Sequence, residues 1–462
     1  METKAREVYI RGEQSMEGRN TMLNRNGLGY ISLVVAAYMI GVSNLWKFPT
    51  LVLEYGLSGV VFYSIMVALM IPMISAAMES TKNRRYELVE FYNREFNTLW
   101  PAMAFFLFDI LLLAYYPTVS GWLLRELAPA EVLPSGVGSA LVLLLFFAVL
   151  TVTLMKGGTH TMDAMVVSLL IAFTALILAS WTLYSHIGAT GMMPAFGKQL
   201  TQVLSWKGVS GKMLVDTAEQ AAYSVGIGMG FYLLLGGFLP KKVSPVKVAT
   251  IGVVLDTLSV LLSTLIAVMA ISTPPTVGIG GSDIVTSALP KTLESGGMTA
   301  VLYFLYLAFF FAALSSMIPL GEVVTRVLME LSTKPLNPRR MPGFRRRSVL
   351  MAMSFTLLLG LLLVAAGEYG GVDAVGTLDT AVETFILFGA VLEVLAVLYG
   401  KEYVSLPLKA GSYPGIIAVF LLGTLAVWGM VTGKMVIPLS ILIAVLGLAV
   451  LPGNFWRRHL RM

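Results

Sequence analysis

The 462-residue sequence has no cysteine, so disulfide frameworks, zinc–thiolate sites and iron–sulfur clusters are excluded. Charge is almost as scarce: 13% of the residues are Asp, Glu, Lys or Arg, against about 25% in a soluble domain. Histidines number three, His160, His186 and His459. H-E-x-x-H, G-x-S-x-G and G-x-x-x-x-G-K-[ST] are all missing, and with them the common metalloprotease, hydrolase and nucleotide-binding readings. No stretch is rich enough in Pro, Gly or Ser to mark a linker, which predicts a single domain over 1–462. The charged N-terminus has no apolar run ending in a small-residue cleavage site, which predicts no signal peptide.

What fills the chain is apolar. Hydrophobic residues make up 57% of it, too much for one buried core. Runs of about 20 apolar residues recur, each long enough to cross roughly 30 Å of hydrocarbon. They predict an all-α integral membrane protein with twelve spans, at about 28–52, 57–80, 100–125, 136–155, 162–186, 213–238, 246–272, 298–332, 348–367, 376–399, 412–432 and 435–453. Lys and Arg cluster on one side, in the N-terminal segment, "TKNRRY" (81–86), "KKVSPVK" (241–247), "NPRRMPGFRRR" (337–347) and the tail "RRHLRM". The positive-inside rule then places both termini in the cytoplasm of a multi-pass cell-membrane protein. The net charge of +6 belongs to loops flanking a bilayer rather than to a nucleic-acid surface. Of the outer loops, 187–212 and 273–297 are long enough for short helices, the second with the look of a structured lid. Nothing in the sequence fixes an oligomeric state.

Two spans are weakened at their centres. "MIGVSNLWKFP" (39–49) places Gly41, Ser43 and Asn44 at membrane depth, and "EQAAYSVGIGMGFYLLLGG" (219–237) places Gly226, Gly228 and Gly230 there. Irregular backbone inside a bilayer is tolerated only where it lines a protein cavity. Glycines also serve close helix packing, but paired interruptions in the first span of each half point to a central substrate site between inverted repeats. The repeats would run over about 25–186 and 213–399, with two further helices over about 412–453. Asp256, deep in the seventh span, is costly there and reads as functional.

These segments resemble the neurotransmitter:sodium symporter family, whose bacterial prototype is LeuT. "GVSNLWKFP" is similar to the family signature G-L-G-N-x-W-R-F-P. "SAAMES" puts Glu79 where the family has a buried glutamate at the end of the second helix. "LAYYPTVSGW" (113–122) resembles the third-helix tyrosine segment ending in Trp122, "VVLDTL" (253–258) the seventh-helix motif, and "FFFAALSSM" (309–317) the eighth-helix hydroxyl pair. The resemblance spans almost the whole chain. It implies a LeuT-type 5+5 inverted repeat with helices 1 and 6 broken, and sodium-coupled import of an amino acid by alternating access.

By the same resemblance, a first sodium site would draw on Met39, Asn44, Ser224 and Asp256. A second would draw on Ala37, Ile40, Ala312, Ser315 and Ser316, although membrane serines often only back-bond to their own helix. The substrate pocket would be Met39, Gly41, Ser43, Leu112, Tyr116, Tyr223, Ser224, Gly226, Met229, Ser316 and Leu320, with Tyr116 on the substrate carboxylate and Tyr223 closing from outside. Amine-carrying members have aspartate at the Gly41 position. Glycine implies an amino acid with its own carboxylate, and Gly226 implies room for a bulky, neutral, apolar side chain. Lys47 and Asp379 would form the outer gate, and Glu330 with Arg19 or Arg25 the inner one. Glu322 and Arg326, four apart, read as a structural pair. Val260 stands where relatives carry a chloride-binding serine or a substituting glutamate. With Asp256 supplying the negative charge, chloride-independent transport with a proton returned in exchange is expected. The rival readings are a proton-coupled carrier on the same fold and, more remotely, a channel.

Overall fold

The computed structural model describes residues 27–82, 84, 86–125, 135–272, 293, 296–331, 341–369, 374–399, 404–433 and 435–451. Arg19, Arg25, most of the 273–297 loop and the tail after 451 lie outside the described residues.

Every expected span is helical, and no strand forms among the described residues. Helix α1 (Leu28–Met39) stops at mid-membrane and α2 (Val42–Lys82) restarts beyond Gly41. α2 carries the rest of the first span and all of the second, joined at Gly56, whose φ of 60° is left-handed. A Cβ at Gly56 would run into the Ser205 carbonyl, and Leu57 N donates to that same oxygen at 3.0 Å. The outer loop 204–208 is thereby tied to the kink. α3 (Leu88–Phe96) follows, then α4 (Trp100–Arg125), α5 (Ser135–Lys156) and α6 (Thr159–Ala189). The outer loop 187–212 does hold a short helix, α7 (Met193–Val203).

The second half repeats the break. α8 (Gly211–Val225) ends at Gly226, and α9 (Phe231–Phe238) begins after Gly230. α10 (Pro245–Ile271), α11 (Thr299–Leu331) and α12 (Met341–Tyr369) are continuous crossings. The tenth span is α13 (Ala374–Glu393) followed by the single turn α14 (Leu395–Leu398), and α15 (Leu406–Thr432) and α16 (Val436–Ala449) close the chain. α11 packs along α6, α10 lies against α1 and α2, and α13 lies against α4 and α8. The broken helices therefore sit inside the bundle. Its outside carries exposed apolar side chains such as Trp181, Trp428 and Val436. Such a surface suits lipid and would be an aggregation hazard in water.

The α3 helix lies between the second and third spans and is not among the expected elements. Its Leu88, Val89, Phe91 and Tyr92 are buried, and Tyr92 Oη donates to the Leu392 carbonyl at 2.6 Å. The charged residues around it mask this apolar face in the sequence.

Gly226, Gly228 and Gly230 all have positive φ, at 67°, 92° and 75°. Three left-handed residues in five cannot continue a helix, and other residue types adopt them at a cost of about 1–3 kcal/mol each. At Gly228 there is also no space: a Cβ would collide with the Ile386 carbonyl and Ala390 N, because α13 crosses the break through Gly389. Gly228→Ala is therefore expected to lower the thermal midpoint of the detergent-purified protein clearly, while Gly429→Ala, where a Cβ meets nothing within 4 Å, leaves it unchanged or raised. Equal midpoints for the two variants would contradict the close crossing.

Candidate functional site

The two breaks face each other. After α1 the backbone turns through Ile40, whose N–H still donates to the Ala36 carbonyl at 2.8 Å, and Gly41 N reaches the Met39 carbonyl at 2.9 Å. Asn44 on the restarted helix folds back. Its Nδ2 donates to the Met39 carbonyl at 3.2 Å and also to Asp256 on α10. Asp256 accepts a second bond from Ser224 Oγ at 2.7 Å, and Tyr63 Oη lies 3.4 Å from the same carboxylate oxygen. Tyr63 also donates to Ser224 Oγ at 2.8 Å. Met39, Asn44, Ser224 and Asp256, expected together, thus come together, and Tyr63 joins them. Asn44 Oδ1 is buried without a hydrogen-bond partner. An orphaned oxygen beside a carboxylate, a hydroxyl and a carbonyl is what a small hard cation would complete. The neighbouring hydroxyls Thr257 and Ser259 do not serve Asp256: they bond the carbonyls of Val253 and of Asp256's own backbone.

The hydroxyl pair on α11 divides. Ser315 Oγ lies 2.9 Å from the Ala312 carbonyl and 3.3 Å from the Ile40 carbonyl. Back-bonding and cross-helix contact therefore coexist, and Ala37 is buried one turn before Ile40. Ser316 Oγ points elsewhere, 3.3 Å from the Tyr38 carbonyl. A Cβ at Gly41 would sit 2.9 Å from Ser316 Oγ and 3.4 Å from Tyr116 Oη. Gly41, Ser316 and Tyr116 consequently share one small space beside the break. Tyr223 covers it, its ring 6.1 Å from that of Tyr116. Ser43, Leu112, Met229 and Leu320 are buried at 1–4% exposure.

One expectation needs correcting. The space above Gly226 is not open, because the Tyr38 ring fills it, close enough to collide with any Cβ there, and Tyr38 Oη donates to the Gly226 carbonyl at 2.8 Å. Gly226 makes room for Tyr38, not for a bulky substrate. Glu79 is a second correction. Expected to be buried at the end of the second helix, it is only half-buried and accepts from Ser405 N at 3.0 Å. Glu393 at the end of α13 is fully buried instead, and it accepts Gly228 N at 2.6 Å and Tyr232 N at 3.0 Å. An anion at the start of a helix meets both its free N–H groups and its dipole, so Glu393 stabilises the restart of α9.

Lys47 and Asp379, expected together, are in contact, and a second carboxylate joins them. Lys47 Nζ lies 2.5 Å from Asp379 and 2.6 Å from Glu383, one turn further along α13, and 5.0 Å from the centre of the Tyr223 ring. At the other end of the bundle, Glu330 accepts Glu90 N at 2.8 Å in the first turn of α3; its expected partners Arg19 and Arg25 lie outside the described residues. The Glu322–Arg326 pair exists, with Nε 2.8 Å from Oε1, but it is part of a larger network. Arg345 also binds Glu322 and donates to the Leu154 carbonyl at 2.8 Å, and Arg326 reaches Glu87 at 3.2 Å.

No family model and no curated protein sequence matches this chain. Among solved structures it is similar to the crystal structure of MhsT in complex with L-phenylalanine, at 18% sequence identity and a TM-score of 0.70, over 86% of this chain and 98% of that one. The likeness shows the fold: this multi-pass chain has the LeuT-type architecture of MhsT, with its first and sixth spans broken at mid-membrane.

Proposed function

We propose that this chain is a sodium-driven symporter that imports an L-amino acid by alternating access. The observation that carries the reading is the convergence of both helix breaks on one buried point, where the Met39 carbonyl, Ser224 and Asp256 gather about Asn44, whose Oδ1 is left without a hydrogen-bond partner. That donor set suits sodium, and the carbonyls of Ile40 and Ala312 with Ser315 suit a second ion. Between them, Tyr116 and the open N–H groups near Gly41 favour a substrate carboxylate. MhsT was crystallised with an amino acid, which agrees with this reading. Lys47, its two carboxylates and Tyr223 form the outer lid of an occluded state. The lid also argues against a channel, which needs a continuous polar pore. We place both termini in the cytoplasm from the distribution of Lys and Arg.

Asp256 supports chloride independence. Its carboxylate supplies a fixed negative charge next to the first cation, and the neighbouring Val260 is fully buried and apolar. After sodium leaves, a proton is the remaining small cation that can satisfy Asp256, so the return step would carry one outward. A purely proton-coupled carrier is the second reading, and the same carboxylate motivates it.

Three measurements in proteoliposomes test this. Replacing external sodium by potassium at fixed pH is expected to reduce amino-acid uptake to background; unaffected uptake would sink sodium coupling and favour the proton reading. Tyr116→Phe is expected to weaken substrate binding roughly ten- to hundredfold, since a hydrogen bond to a charged group is worth about 1.5–3 kcal/mol, while sodium binding at Ser315 persists. Unchanged substrate affinity would mean the pocket is elsewhere. Asp256→Asn is expected to lower sodium affinity, abolish stimulation by an outward proton gradient and leave transport open to chloride. If its sodium affinity and pH dependence match the parent protein, Asp256 is only a structural acceptor for Ser224 and Tyr63.

A further inference from the structure

A second carboxylate in the membrane interior has no role in the scheme above. Asp109, near the middle of α4, is 0% exposed, and neither of its oxygens has a hydrogen-bond partner. The helix face it occupies is fixed by its neighbours. Residues four before, three after and seven after it share that face of an α-helix. These are Phe105, Leu112 and Tyr116. The Phe105 ring lies 3.3 Å from where a Cβ of Gly230 would be, and Tyr116 Oη lies 3.4 Å from that of Gly41. One end of the stripe thus faces the sixth-span break and the other end the first-span break, with Asp109 between them. Asp109 is also within electrostatic reach of Tyr38, whose ring covers Gly226, and of Glu393.

A bare carboxylate in such a place is costly and needs a partner. Glu393 offers none, since its oxygens already accept from Gly228 N and Tyr232 N. A proton alone does not solve the problem, because the O–H of a neutral acid also needs an acceptor and no hydrogen bond of any kind is made. A cationic group would satisfy both oxygens at once. Asp109 stands seven residues, roughly 10 Å along the helix, below Tyr116. That is the reach of a long amino-acid side chain extended from a carboxylate held at Tyr116 and Gly41. The buried Leu112 between them offers an apolar wall of the kind that covers the methylene stem of Lys or Arg.

We propose that Asp109 is the floor of the substrate pocket and recognises an ammonium or guanidinium group, so that the transported amino acid is a long cationic one. This rests on the amino-acid symporter reading and replaces the apolar side chain expected from Gly226 with a charged one.

The test uses the full-length protein in proteoliposomes with an inward sodium gradient. Uptake and thermal stabilisation are measured with lysine, arginine, leucine and phenylalanine, and with cadaverine, which has lysine's amines but no carboxylate. Lysine or arginine is expected to be transported and to stabilise the protein in sodium, with leucine, phenylalanine and cadaverine at least about tenfold weaker. Asp109→Asn is expected to lose lysine binding by about tenfold or more, and Asp109→Glu to recover part of it. Sodium-driven uptake of leucine or phenylalanine that lysine does not inhibit would overturn the proposal and leave the symporter standing. So would an Asp109→Asn variant that binds lysine as the parent does, or one in which only the pH dependence of neutral amino-acid uptake changes. Cadaverine matching lysine would overturn the role given to the carboxylate end. Failure of every amino acid to bind in sodium would overturn the symporter reading along with it. The ligand panel on the unaltered protein decides the matter even if the variants do not fold.

Discussion

A peptide group released from a helix inside hydrocarbon has no water to turn to, and this constraint organises the chain. Two helices stop at mid-membrane, and each freed N–H and C=O must find a partner within the protein or a ligand. The second break is met by a dedicated anion, Glu393, whose oxygens take the amides of Gly228 and Tyr232. On the first break, the Met39 carbonyl is held by Asn44 and so linked to Asp256, while Ile40 and Tyr38 turn their carbonyls toward the hydroxyls of Ser315 and Ser316. The structural solution and the proposed binding site are therefore made of the same atoms.

Charge is placed in layers about that centre. Lys47 with Asp379 and Glu383 lies above it, Asp256 at its depth, Asp109 about two turns of α4 below Tyr116, and Glu322 with Arg326 and Arg345 below. Buried ion pairs give little net stability against apolar packing, because desolvation offsets their attraction. Their value lies in being breakable in a defined way. The upper cluster joins the first and tenth spans, and the lower one joins the eighth and ninth to the end of α5. The two middle carboxylates differ: Asp256 is supplied with protein donors and Asp109 with none.

Much of this was legible in the sequence. Apolar run length fixes the spans, and glycines at 41, 226, 228 and 230 mark the breaks, because both signals depend on local chemistry alone. Asp256 stood out as a charge where charge is costly, and Asp379 as a partner for Lys47. Glu383 carried a signal that was passed over, its spacing of four from Asp379 on one helix face, and Asp109 was as visible as Asp256 in an equally apolar run. Tyr38 could not be read. Nothing local says that its ring crosses to Gly226, since that depends on how two broken helices pack. Glu79 misled for the same reason: its place near the end of the second span was clear, but its direction was set by the contact with Ser405.

The meeting of Gly228 with Gly389 has a mechanical consequence. Two main chains touch there with no side chain between them, so the contact has no rotamers to absorb displacement. α13 passes over it as a rigid rod. Asp379 lies ten residues to one side and Glu393 four to the other, arms of roughly 15 and 6 Å. The glycine pair is a fulcrum, and a tilt of the rod about it moves the carboxylate facing Lys47 more than twice as far as the one holding the restart of α9.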